Sequence, residues 1–164
     1  MLKQAFFFAL VGCACAGPAI GQESGSPVID NPELASARLL LQAGREEIIR
    51  EEIYLTEAEA AAFWPAYRAY VTELQPLRDR RTKAIAAFLL AYGEGTVSAA
   101  DAERLVDEHL GFLAAVLEVK RRHLPNFRAA LPPHKAARFY QLENKLDAEL
   151  EAELAVFVPL IDPV

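Results

Sequence analysis

LTEAEAAAFWPAYRAYVTELQPLRDRRTKAIAAFLLAYGEGTVSAAD, residues 55–101, decides the fold class. It opens on Thr56, with Glu59 three residues on. In this pattern a threonine side chain caps a helix start and the glutamate reaches back to the cap residue's own N–H. Phe63, Tyr67, Tyr70, Leu74 and Leu77 then recur at alternating steps of four and three. That spacing lines one side of a helix and suits a seam between nearly antiparallel helices. Pro65 and Pro76 predict bends within the run, because each removes a backbone hydrogen bond and crowds the turn before it. Gly93-Glu94-Gly95 ends the helix after about Tyr92, and Ser98 with Asp101 repeats the capping pattern. Two long helices joined by so tight a turn fold into an antiparallel hairpin.

Toward the N-terminus, a helix over roughly residues 32–54 begins at Asn31-Pro32, a cap residue followed by proline where its missing N–H costs little. Leu34, Leu41, Ile48 and Ile49 share one side of it, and Arg45, Glu46, Glu47, Arg50, Glu51 and Glu52 make a solvated face. Toward the C-terminus, the helix after Ser98 carries two adjacent apolar stripes. One is Leu105, His109, Phe112 and Val116; the other is Val106, Leu110, Leu113 and Leu117. A stripe this broad predicts helices packed on two sides, with His109 as a packing residue. Pro125 bends or ends this helix, and Leu131-Pro132-Pro133 starts a fourth whose seam is Phe139, Leu142, Leu146, Leu150, Leu154 and Phe157. No segment alternates with the period of a half-buried strand. The class is all-α: four helices over residues 33–160, a long bent hairpin of the second and third flanked by two further helices, then a tail over 161–164. Reflection about the Gly93–Gly95 turn brings Leu55-Thr56 opposite the segment from Leu131 to Lys135.

Residues 1–21 order themselves as Lys3, an apolar run from Ala5 to Val11 and then small residues, the layout of a secretory signal. Cleavage before Gln22 is preferred to cleavage before Gly17. Leu10-Val11-Gly12-Cys13 also matches a lipobox, which would place a lipid anchor on Cys13. The apolar run is far shorter than the ~20 residues of a membrane-spanning helix. Residues 22–32, rich in Ser, Gly and Pro, read as a flexible tether. The expected destination is the periplasm. Both cysteines of the chain, Cys13 and Cys15, fall inside the leader, so the processed protein is expected to lack thiol chemistry. A net charge of −6 argues against a nucleic-acid binder.

The residues offer little to catalysis or metal binding. His109 and His123 stand fourteen positions apart on one helix, about 20 Å in rise, too far to share an ion within one subunit. Ser36 and Ser98 lack a nucleophile-elbow context, and no glycine-rich phosphate loop occurs. Glu143, Asp147, Glu149, Glu151 and Glu153 read as a solvated helix face rather than a carboxylate site. No enzyme activity, cofactor or metal is expected. Two basic groups remain, Arg78, Arg80, Arg81 and Lys83 on the second helix, and Lys120, Arg121, Arg122 and Arg128 on the third. Interleaved with Phe63, Trp64, Tyr67, Tyr70, Phe127 and Phe139, they form either a surface that holds unfolded chains or a core with its charges paired outside. The candidate polypeptide-binding set is Phe63, Trp64, Tyr67, Arg78, Arg81, Arg121, Arg122 and Phe139, with Trp64 beside the seam as its most telling member.

Leu55-Thr56-Glu57-Ala58-Glu59 followed by Phe63, and Leu131-Pro132-Pro133-His134-Lys135 followed by Phe139, resemble two degenerate LTxxQ repeats of the Spy/CpxP group of bacterial periplasmic proteins. Glu59 and Lys135 stand where the repeat has glutamine, and Pro132 replaces its threonine. The likeness extends over residues 48–154 in helix order and length. It implies long bent helices, often in cradle-shaped dimers, in a group that includes ATP-independent chaperones, modulators of envelope-stress signalling and heavy-metal sensors. The function expected is an exported helical module that binds unfolded or partner polypeptides without nucleotide, and that forms a homodimer if it follows the group. An envelope adaptor with one defined partner is the alternative, and a metal sensor a third.

Overall fold

The computed structural model describes residues 32–162, with side chains from residue 43 onward. The leader, Cys13 and the tether up to residue 31 lie outside the described residues. Four helices follow one another: α1 (Pro32–Ile53), α2 (Glu57–Gly93), α3 (Ala99–Ala130) and α4 (Pro133–Phe157). No strand occurs among the described residues. The chain divides into two compact units between Glu52 and Ile53. The first is the helix α1. The second contains the hairpin and α4, and everything below concerns it.

Local chemistry places the ends of the hairpin helices. Thr56 Oγ1 accepts from the Glu59 N–H at 3.3 Å, and Glu59 Oε2 accepts from the Thr56 N–H at 2.8 Å. Ser98 and Asp101 make the same reciprocal pair, at 3.2 and 2.9 Å. Each box satisfies backbone donors that the first helical turn leaves without partners. Between the two helices, Gly95 takes φ +65°. The Thr96 N–H donates to Ala91 O at 2.9 Å and the Gly95 N–H to Tyr92 O at 3.1 Å, closing α2 in a Schellman turn. Glycine is needed there because a Cβ at positive φ is strained. Pro65, Pro76 and Pro125 all lie inside helices that continue past them. At Pro125 the helix bends or continues rather than ends, since α3 reaches Ala130.

α2 and α3 pack against each other most densely. α4 returns alongside both, antiparallel to α3 and parallel to α2. Phe139 meets Phe127 with ring centroids 4.5 Å apart, and Lys120 Nζ donates to Asp147 at 2.9 Å. Toward α2, Phe139 lies 5.2 Å from Phe63 by ring centroids, and the Tyr70 hydroxyl donates to Glu143 at 3.1 Å.

The core sits where three helices overlap. Phe63, Tyr67, Tyr70 and Leu74 of α2, Val119, His123 and Phe127 of α3, and Ala136, Phe139, Leu142 and Leu146 of α4 are buried. The expected α4 seam fades toward its end: Leu150 and Leu154 are half-buried, and Phe157 is exposed. The broad stripe of α3 is packed on one side only. Leu105, Phe112 and Val116 are half-buried, whereas Val106, Leu110, Leu113 and Leu117 remain 47 to 58% exposed. The physical reason is that α4 meets α3 at Lys120 and Phe127, and no element within this unit covers the second stripe.

Candidate polypeptide-binding surface

The two helix starts singled out in the sequence touch. Lys135 Nζ, in the first turn of α4, donates to Glu59 Oε2 at 2.6 Å and to the Tyr54 carbonyl at 2.7 Å. Glu59 thus serves its own cap and the neighbouring helix together. The Lys135 ammonium, then the Thr56 backbone N–H, hold its carboxyl below the usual glutamate range. Leu131 is buried beneath this junction, Leu55 and Pro132 are half-buried, and Thr56 is exposed. Pro132 makes no side-chain cap, and the second start relies on Pro133 at the first helical position. Tyr54 takes φ +53°, with the Arg138 guanidinium 5.8 Å from its ring centroid.

The aromatic members of the proposed surface are core. Phe63, Tyr67 and Phe139 are at most 1% exposed, enclosed by one another and by Tyr70 and Phe127. Trp64 is half-buried at the edge of this cluster, with its ring edge-on to Phe63 and Tyr67. Edge-to-face rings at 5 to 6 Å stabilise one another beyond the area they bury. The seam of α2 therefore faces inward.

The basic members are partnered. Arg78 pairs with Asp147 at 3.8 Å, and Arg81 makes a two-pronged contact with Glu151 while its guanidinium lies 4.7 Å over the Phe112 ring. Arg122 pairs with Glu73, and Arg121 with Glu118 one turn back, at 3.4 Å. The first two tie α4 to the hairpin, and only Arg121 and Arg122 remain mostly exposed.

Three further placements revise the sequence reading. Glu143 is 1% exposed rather than solvated, and accepts from Tyr70. Burial, then the neighbouring carboxylate charge of Glu143, push the Tyr70 hydroxyl far above the ordinary tyrosine range. His109 is exposed rather than packed. His123 is instead the buried histidine. Its Nε2 lies 2.6 Å from Glu73 Oε2, and because a carboxylate only accepts, the proton belongs on Nε2. This contact, followed by Arg122, holds Glu73 below its usual range. The signal for His123 was its place four residues before Phe127 on the core side of α3. Nothing local marks Glu143, whose partner is 73 positions away.

What the unit leaves uncovered lies elsewhere. A groove of about 440 Å³ opens where the end of α4 meets the middle of the hairpin. Leu77, Ile85, Val106, Leu110, Phe112, Leu154 and Val158 line it, with Arg80, Glu108 and His109 among its polar residues. No protein-family model, curated protein or solved structure matches the chain. Apolar walls with a few charged groups suit an apolar side chain or short amphipathic segment more than a polar metabolite. Among the described residues, no three His, Cys, Asp or Glu side chains gather as a metal site, and no helix is long and apolar enough to cross a membrane.

Proposed function

We propose that this chain is an exported helical module that holds other polypeptides, as a chaperone-like or envelope-stress-modulating protein working without nucleotide. The observation that carries the reading is the open groove walled by Leu77, Ile85, Leu110, Leu154 and Val158, adjoining the exposed aliphatic stripe of α3. Contiguous apolar surface of this kind on a charged helical unit marks an interaction site more often than an inert face. The binding surface in this proposal is therefore the groove, not the buried aromatic cluster. The leader-like order of residues 1–21 supports export to the periplasm. The contact between Glu59 and Lys135, each at the position of the glutamine in the LTxxQ pattern, supports a Spy/CpxP-like relationship.

The test is light scattering from unrelated unfolded proteins with the full chain added. The wild type suppresses aggregation of several clients, and Ile85→Lys together with Leu154→Lys lowers that suppression several-fold while far-ultraviolet circular dichroism stays helical. Equal suppression by the variant removes the groove from the proposal. Retention of a single native partner with no effect on unfolded clients replaces the module by an adaptor.

A further inference from the structure

Two cavities of the hairpin share Arg80, Ala84, Leu105 and Glu108 in their walls. The larger is the groove of about 440 Å³, whose apolar walls include Leu77, Ile85, Leu110, Phe112, Leu154 and Val158. The smaller, of about 230 Å³, is more polar, because Lys83, Asp101 and Arg104 join Arg80 and Glu108 around it. Most of these charges are engaged. Arg81 is held by Glu151, and Asp101 by Ser98 and Arg104. The side chains of Arg80, Lys83 and Glu108 make no hydrogen bond or ion pair among the described residues, although Lys83 and Glu108 are half-buried. Arg80 and Lys83 stand three apart on one side of α2. The Arg80 guanidinium reaches across to α3, 3.8 Å from where a Cβ on Gly111 would stand, about one turn from Glu108.

Two cations and one carboxylate thus border an apolar groove without protein partners. We propose that this site takes a single-chain zwitterionic lipid, a lysophosphatidylethanolamine, with its acyl chain on the apolar walls, its phosphate against Arg80 and Lys83 and its ammonium against Glu108. A phosphate offers several acceptor oxygens to two neighbouring cations. A fatty acid would satisfy the cations but set its carboxylate near Glu108, which like-charge repulsion disfavours. From Leu77 to Ile85 the groove follows α2 for about 12 Å, and its volume is at the low end of small-molecule sites, which suits one acyl chain rather than two. This binding goes beyond polypeptide holding and does not depend on it, though a bound lipid would exclude a client segment from the same walls.

Isothermal titration calorimetry of the full chain with myristoyl lysophosphatidylethanolamine below its micelle concentration, with no client present, tests the site apart from the holding function. Binding saturates at one lipid per chain. The lauroyl analogue, two methylenes shorter, binds roughly tenfold more weakly. Lysophosphatidylglycerol of the same chain length, which keeps the phosphate and lacks the ammonium, also binds about tenfold more weakly. Arg80→Glu with Lys83→Glu loses at least about tenfold in affinity while circular dichroism stays helical. Glu108→Lys reverses the preference, so that the glycerol head binds more tightly than the ethanolamine head. No saturable binding by the wild type overturns the proposal. So do equal affinities for the two heads, or an Arg80→Glu, Lys83→Glu variant that binds as tightly as wild type.

Discussion

Replacing Phe139 by alanine tests whether α4 is held by the aromatic cluster. Phe139 is fully buried, and its ring centroid lies 4.5 Å from that of Phe127, 5.2 Å from Phe63, 5.3 Å from Tyr140, 6.0 Å from Tyr67 and 6.3 Å from Tyr70. Truncation removes the ring from five aromatic neighbours contributed by all three helices. Burial loss and the cavity left behind cost about 3 to 5 kcal/mol at such positions. The upper half applies here, because rings held by one another on three helices cannot all move into the space. With a urea dependence of about 2 kcal/mol per molar, the unfolding midpoint falls by about 2 M. That is a large share of the roughly 5 to 15 kcal/mol that stabilises a domain. Urea titration by far-ultraviolet circular dichroism measures it, with Phe157→Ala as the control, since that ring is 47% exposed at the fading end of the same helix. A loss below about 1.5 kcal/mol for Phe139→Ala would refute the reasoning.

Tyr70→Phe removes the one hydroxyl shown donating to the buried Glu143, and is expected to cost about 1.5 to 3 kcal/mol, the range for a hydrogen bond to a charged group. Glu143→Gln keeps an acceptor for Tyr70 and should cost less, so equal losses in the two variants count against the bond. Acid should destabilise the fold with a definite sign. Glu59 and Glu73 are held below their usual 4.5, and Asp101, through its bonds to Ser98 and then Arg104, is drawn down from 3.8 to about 2. The unfolded chain therefore takes up protons first as pH falls. Stability from these groups is complete above pH of about 5 and is lost progressively toward pH of about 2. Urea midpoints across that range should decline, and a flat profile would remove the role of these carboxyls.

The parts of the fold legible in the sequence are those set by neighbours along the chain. Thr56 with Glu59 and Ser98 with Asp101 fix two helix starts through bonds spanning three residues, and Gly95 supplies the one backbone conformation the turn requires. Counting back from that turn also set Leu55-Thr56 opposite the segment from Leu131 to Lys135, where Lys135 meets Glu59, because both helices rise by the same amount per residue. Periodicity shows that a helix has an apolar side without showing what covers it. Phe63, Tyr67 and Phe139 could equally have faced clients, and the two stripes of α3 could equally have been packed. Only the line of approach of α4 separates these cases. Glu143 was unreadable for the same reason. A carboxylate among other carboxylates looks solvated until a tyrosine from a distant helix is set over it. The groove was not legible at all, since Val106 and Leu110 read as packed against a neighbouring helix, and its existence depends on where α4 stops.

That stopping point divides the hairpin. Buried side chains crowd between Phe63 and Leu74 on α2 and between Val119 and Phe127 on α3, while further toward the turn only Phe88 is buried. Two helices without a third exclude little water from their backbone, so the distal arm should open far more often than its base. Amide hydrogen exchange would then run as a gradient, slow beside the ring cluster and fast near Gly95. An arm that loosens from its tip could adjust its width to a bulky cargo while the base keeps its form.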